Sequence, residues 1–342
     1  MSQPNFIASV SYARDDASPD RPRETMTPPR AAAASLSTLQ PPAPVVSIGL
    51  PVYNGGRYLR QSLRCLLEQD FRDFEIVISD NASTDDTAAI CKEFAAADSR
   101  IRYFRSDLNQ GAAWNYNRVF ELSRGRYFRW AAADDFVAAD SLRLCLERLR
   151  SDPKCVLAFP RTEIVDDEGR SLETYQDGLD IQDDHPAKRV GILLRKTREC
   201  NAVFGLIDSS ALSTTGLIGR FAGSDHILLA ELAMRGRFAE VSATVFYRRT
   251  HPAASSYDKS VARQREFYDP LKLVPDFERN CRYKTWHQFK QSWRAVGRSG
   301  LRFGDRVKCY LTIAHVAIES RRHIWREFRG NRTTAGEHAT AS

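Results

Sequence analysis

The sequence predicts an α/β protein, a mostly parallel sheet flanked by helices, with a helical C-terminal tail. Three observations carry this expectation. Short, nearly continuous apolar runs alternate with amphipathic stretches of helical period between residues 45 and 147. Each such run is followed by a polar loop. The chain has 342 residues, 42% of them apolar and 27% charged, which suffices to bury a core and excludes wholesale disorder.

Residues 1–43 are rich in Pro, Ala, Ser, Arg and Asp and predict a disordered leader. Residues 45–50 (VVSIGL) predict a strand buried on both faces, ended by Pro51. A helix over 57–69 follows, with Tyr58, Leu59, Leu63, Leu66 and Leu67 on one face. Residues 74–79 (FEIVIS) predict a second strand and 80–83 a turn. Thr84 is placed to cap a helix running to Phe94, with Asp85 and Asp86 in its first turn. A strand over 101–105, a helix over 112–122 and a strand over 127–131 complete the series, and a helix starts at Ser141. Beyond it lie a strand over 157–161, a turn at 166–169, a polar stretch without structural signal to Asp184, an apolar helix opening at Asp225-His226, and a strand over 241–247.

Charge and cysteines narrow the function. Between Lys259 and Arg332 there are 18 Lys/Arg against 7 Asp/Glu, a surplus of +11 that exceeds the +7 of the whole chain, so the positive charge resides in this region. Such a tail implies an anionic partner surface. Nucleic acid is not expected, because no recognised binding motif accompanies the charge. The seven cysteines are scattered without a C-x-x-C pair, which suggests neither a disulfide framework nor a thiolate zinc site. No apolar run reaches the roughly 18 residues that span a bilayer, nor is there a signal-peptide pattern; the expected location is cytoplasmic.

Ligands of parallel sheets bind at the carboxyl ends of the strands. In this chain those ends carry Pro51, Tyr53 and Asn54; then Asp80 and Asn81; then Asn109, Gln110 and Gly111; then Asp134 and Asp135. Neither G-x-G-x-x-G nor a P-loop is present, which disfavours hydride transfer and P-loop hydrolysis. Asp80 suits a base edge or ribose hydroxyls. Two adjacent carboxylates at a buried edge repel each other until a proton or a cation intervenes, and carboxylate oxygens select Mg²⁺ or Mn²⁺. The plainer alternative is that Asp135 only begins a turn.

These motifs carry a resemblance. V-S-I-G-L-P-V-Y-N-G-G-R-Y-L, I-V-I-S-D-N-A-S-T-D-D-T, N-x-G at 109–111 and A-D-D-F at 133–136 together resemble the nucleotide-sugar-binding half of family 2 glycosyltransferases with the GT-A fold, itself Rossmann-like. The resemblance implies that Pro51, Tyr53, Asn54 and Asp80 hold the nucleoside, with Asn109 and Gly111 beside it. It also implies that Asp134 and Asp135 form a D-x-D-like element contacting metal and diphosphate. Many relatives carry a further Asp where this chain has Ala132. The segment Asp225-His226-Ile227 through Phe238 resembles the family's L-x-x-x-L-x-x-x-G-x-F helix, whose leading Asp is the general base. Taken alone, Asp225 reads first as a favourable first-turn charge, with Ser224 as the cap.

Arg248 and Arg249 offer bidentate forks suited to a diphosphate, Arg249 being the expected contact. His251 is expected to coordinate the metal or donate to a phosphate. In the tail, Val307, Tyr310, Leu311, Ala314, Ile318, Trp325 and Phe328 form an apolar stripe among basic residues. It reads either as a helix on the inner face of an anionic membrane or as packing over the catalytic domain. The expected organisation is a catalytic domain over 44–254, a basic helical region over 255–330 and a disordered tail over 331–342. The expected activity is inverting transfer from a nucleotide-diphosphate sugar to a hydroxyl acceptor, glycan or lipid-linked, in polysaccharide or glycolipid biosynthesis. Its cofactor would be a divalent cation, Mn²⁺ or Mg²⁺. The alternative, which Ala132 supports, is a non-catalytic nucleotide-sugar-binding scaffold.

Overall fold

The computed structural model describes residues 42–252, 254 and 260–338, with side chains through residue 329. The expected leader lies outside the described residues but for its last two positions, as does the end of the tail. In chain order the elements are β1 (Val46–Val52), α1 (Gly56–Leu67), β2 (Phe74–Asp80), α2 (Thr87–Ala97), β3 (Ile101–Arg105), α3 (Ala112–Glu121), β4 (Tyr127–Trp130), β5 (Phe136–Val137) and α4 (Ser141–Ser151). They continue with β6 (Cys155–Val165), β7 (Ser171–Tyr175), α5 (Pro186–Lys196), a 3-10 turn (Asn201–Phe204), β8 (Leu206–Asp208), α6 (Ser209–Ser213), α7 (Ser224–Arg235) and β9 (Arg237–Arg249). Five helices close the chain: α8 (Val261–Tyr268), α9 (Phe277–Arg282), α10 (Lys284–Arg298), α11 (Phe303–Glu319) and α12 (Arg321–His338).

One sheet runs in the order β3-β2-β1-β4-β8-β6-β9-β5, with β7 paired to β6. The first four strands in that order are parallel, as the βα alternation demands. β8 then runs antiparallel to both β4 and β6, and β9 pairs parallel with β6. One face is sealed by Leu59, Leu63, Ile90, Leu142 and Leu146 from α1, α2 and α4. The other is sealed by Val119, Val190, Leu193 and Leu228 from α3, α5 and α7. Full burial of each such side chain contributes about 1.5–3 kcal/mol.

Three local expectations are corrected. Pro51 lies inside β1 rather than after it, at the register Pro51↔Ser79. Pairing with β4 ends at Gly49↔Trp130, so the missing proline N–H leaves no ladder bond unmade. Thr84 does not cap α2, which begins at Thr87; its N–H donates instead to Asn54 Oδ1 at 2.8 Å. The stretch beyond residue 169 contains β7, whose short run of mostly exposed side chains hid a strand that pairs through its backbone.

The C-terminal helices pack on the sheet domain. α10 buries Ala295 and Val296 against α7, and α11 buries Cys309, Ile313 and Val316 against α5. Much of the expected apolar stripe points the other way: Val307, Leu311, Ile318, Trp325 and Phe328 are exposed. α12 runs to His338, past the expected boundary at 330. No proline interrupts it. No helix among the described residues is long and apolar enough to cross a membrane.

Burial leaves one carboxyl far from its usual state. Asp177, after β7, is 5% exposed and accepts from Thr162 Oγ1 at 3.0 Å. Burial pushes its carboxyl up to about 7. Between about pH 4 and pH 7 the native state keeps a proton that the unfolded chain releases, so this group's contribution to stability falls as pH rises. Asp177→Asn is expected to flatten that slope and to raise stability above pH 7, by at most about 4 kcal/mol. Urea denaturation at pH 4.5 and pH 8 checks it; an equal effect at both would refute the assignment.

Candidate active site

The register Val52↔Asp80 brings the loops after β1 and β2 side by side at the carboxyl edge of the sheet. They are locked together. Asn54 sits at φ +51°, its N–H donating to Ser83 Oγ at 2.9 Å while its Oδ1 accepts from Thr84. The N–H groups of Gly55 and Gly56 donate to Thr87 Oγ1 and Asp85 Oδ2. Asp80 is 0% exposed: one oxygen accepts the Ser83 N–H at 2.8 Å, and the other meets Tyr103 Oη at 2.8 Å and Arg105 Nε at 3.3 Å. Pro51 is buried in β1. Of the four residues expected at the nucleoside, Tyr53, 46% exposed, presents an open ring, while Asp80 and the Asn54 oxygen shape the loops from within.

The third loop is built the same way. Asn109 Oδ1 accepts from Asn81 Nδ2 at 2.8 Å and from the Gly111 N–H at 2.9 Å. Gly111 has φ +86°, and a Cβ there would lie 2.7 Å from the Tyr268 carbonyl oxygen, so the C-terminal region abuts this loop. Asn115, buried on α3, donates to the carbonyls of Val52 and Ser79 and staples the ends of β1 and β2. A buried amide on a helix face was its only trace in the sequence.

Beyond β4, Asp134 and Asp135 diverge. Asp135 is buried and accepts the Arg249 N–H at 2.8 Å. Burial and then the Asp134 charge hold its carboxyl well above the ordinary range, against the pull of that N–H. Asp134 is 34% exposed and lies 3.0 Å from Nε2 of buried His251. His251 packs on Tyr58 at 4.8 Å between rings, and its buried Nδ1 has no hydrogen-bond partner among the described residues. The Arg249 guanidinium, in a residue 3% exposed, donates to the carbonyls of Asp134, Asp166 and Asp167 and to Gln61 Oε1, and stacks on Tyr58. Arg248 pairs with Glu199 at 3.2 Å. In this arrangement both arginines hold protein groups.

Asp225 opens α7 behind Gly223, whose φ of +83° and contact with Gln288 set α10 against the helix start. Its side chain is 37% exposed. Oδ1 accepts the His226 N–H at 3.0 Å and faces His226 Nδ1 at 3.2 Å. Burial opposes ionisation, but these hydrogen bonds outweigh it and hold the carboxyl below its usual range. Tyr116 of α3 ties the halves of the site together. Its phenol is pushed up by burial and then by the charges of Asp134, Asp135, Tyr268 and Asp225, so these groups lie within electrostatic reach of it. Tyr116, Tyr268 and Cys200, which lies 3.2 Å from His226 Nδ1, were not among the expected site residues. They come from separate elements and share no spacing.

Residues 47–212 match the family model for Glycosyl transferase family 2. That segment, 166 of the 342 residues, is of the glycosyltransferase family 2 type. A chondroitin synthase of Escherichia coli is 35% identical over 129 residues, 38% of this chain and 19% of that protein. The GalNAc(5)-diNAcBac-PP-undecaprenol beta-1,3-glucosyltransferase of Campylobacter jejuni is 21% identical over 278 residues, 81% of this chain and 88% of its own. The chain spans about half or less of the relatives matched at 30% identity or more. The crystal structure of S. aureus TarS 1-349 in complex with UDP aligns with a TM-score of 0.51 at 16% identity, over 81% of this chain and 91% of that one. The fold is of the GT-A type. The matched segment stops before Asp225, so the case for Asp225 rests on its place at the start of α7, within electrostatic reach of the buried Tyr116.

Proposed function

We propose that this chain is a family 2 glycosyltransferase that moves a sugar from a nucleotide-diphosphate donor to a hydroxyl acceptor with inversion. The observation that carries the reading is that Asp135, held by the Arg249 N–H, Asp134, held against His251, and Asp225, at the start of α7, all lie within electrostatic reach of the buried Tyr116 phenol. Tyr53 offers an open ring at the mouth of the nucleoside side. Asp225, ionised and partly exposed, takes the acceptor proton as the hydroxyl attacks the anomeric carbon, with His226 orienting the carboxylate. One base and no placed nucleophile favour direct displacement.

Asp134, Asp135 and His251 suit a hard divalent cation, Mn²⁺ or Mg²⁺. The raised Asp135 carboxyl and the His251 ring nitrogen, without a partner among the described residues, mark a polar centre lacking full compensation. Such an ion, when bound, neutralises the charge that grows on the leaving diphosphate. The acceptor side faces the C-terminal helices, where exposed Trp286, Trp293, Phe303 and Trp325 stand among arginines and lysines. That surface suits the inner face of an anionic membrane and a lipid-linked acceptor.

The test incubates UDP-, GDP- and dTDP-sugars with Mn²⁺ and follows nucleoside diphosphate release and the anomeric configuration of the product. Release with an inverted anomer is expected from at least one donor. Retention of configuration would refute direct displacement. The scaffold reading is favoured by Ala132 and predicts donor-induced thermal stabilisation without release.

A further inference from the structure

We infer that Cys200, Asp225 and His226 form a second metal site, one that takes a thiophilic divalent cation such as Zn²⁺ and thereby switches the enzyme off. The metal-binding atoms of the three side chains all lie within 4.8 Å of one another. His226 Nδ1 is 3.2 Å from Cys200 Sγ and 3.2 Å from Asp225 Oδ1. Zinc bonds of about 2.0–2.3 Å in tetrahedral geometry put donor atoms about 3.3–3.6 Å apart, so the two pairs with His226 need adjust by only a few tenths of an ångström, while Cys200 and Asp225, up to 4.8 Å apart, close by about 1 Å as the Asp225 side chain turns. Cys200 immediately precedes the 3-10 turn, while Asp225 and His226 lie in the first turn of α7. Both backbones are held in place by the core residues Ala202, Val203, Ile227 and Leu228.

The donor set decides which ion binds. Sulfur with imidazole and one carboxylate selects Zn²⁺ over Mg²⁺ or Mn²⁺, whereas the thiol-free Asp134, Asp135 and His251 group has the opposite preference. Three protein ligands leave a fourth position for water. The partial exposure of Asp225 and His226, 37% and 23%, opens that position to solvent while Cys200 stays buried. On binding, one metal–sulfur bond forms and the thiol proton passes to solvent. The consequence rests on the proposed role of Asp225: a carboxylate oxygen bound to zinc cannot accept the proton of an incoming hydroxyl. Hard and soft ions would therefore act oppositely on the same enzyme.

The experiment titrates metal-free full-length protein with Co²⁺, whose bond to a thiolate gives near-ultraviolet charge-transfer absorption. One equivalent should produce that absorption in the wild type, and Zn²⁺ should displace it. Cys200→Ser, close to isosteric, should abolish it while leaving the circular dichroism spectrum unchanged. His226→Gln should weaken cobalt binding at least tenfold. No absorption in the wild type, or equal absorption in Cys200→Ser, overturns the site. In the presence of saturating Mn²⁺, one equivalent of Zn²⁺ should lower transfer at least tenfold in the wild type and not in Cys200→Ser. Cobalt–thiolate absorption without zinc inhibition would uphold the site and instead sink Asp225 as the base.

Discussion

Replacing Asp225 by Asn is expected to lower sugar transfer by about 10²- to 10⁴-fold while leaving donor affinity within about threefold, because the lost group acts on the acceptor proton alone. The amide keeps the size of the side chain and an oxygen for the His226 N–H, so the start of α7 should survive. The pH profile distinguishes a base from a structural charge. Burial raises and the His226 hydrogen bonds lower the Asp225 carboxyl, with the lowering dominant. The acid limb of kcat/KM should therefore fall below the usual carboxylate range and disappear in the variant. If turnover and pH profile are both unchanged, Asp225 is only a favourable charge at a helix start, a matter of about 0.3–1 kcal/mol.

The second large effect concerns Arg249. Its guanidinium joins the loop after β4, the turn after β6 and α1 through Asp134, Asp166, Asp167 and Gln61. Arg249→Ala would strand several buried acceptors at about 1–3 kcal/mol each, so a loss of about 3–5 kcal/mol is expected. Arg249→Lys should recover little of it, since an ammonium lacks the planar fork. Urea denaturation measures the loss, and donor binding near the wild-type value under native conditions should accompany it. The opposite pattern, full stability with lost donor affinity, would restore Arg249 to the diphosphate contact that its residue type suggests.

The contrast between Arg249 and the acidic pair shows where sequence reasoning stops. Asp134 and Asp135 were legible because they follow a strand, and strand ends are set by local apolar periodicity. Arg249 was found as a residue, but its partner Gln61 lies 188 positions away. The same limit applies to Asp80. Its place after β2 was legible, yet the approach of Tyr103 and Arg105 that encloses its carboxylate depends on the pairing of β2 with β3. β7 escaped notice for a different reason. An exposed strand carries little apolar signal, and its evidence is a backbone ladder with β6.

By itself the sequence determined the alternation of strands and helices, the sheet edge where polar loops gather, and the acidic groups at that edge. These follow from patterns of two to four residues, the range over which side-chain direction repeats. Tertiary structure alone decided which polar groups face one another. It brought Cys200 to His226 beside Asp225, folded Asp80 and Arg249 inward, and turned much of the apolar stripe of α11 and α12 outward. The physical reason is that a hydrogen bond or charge contact acts over a few ångströms in space, whatever distance along the chain separates its partners.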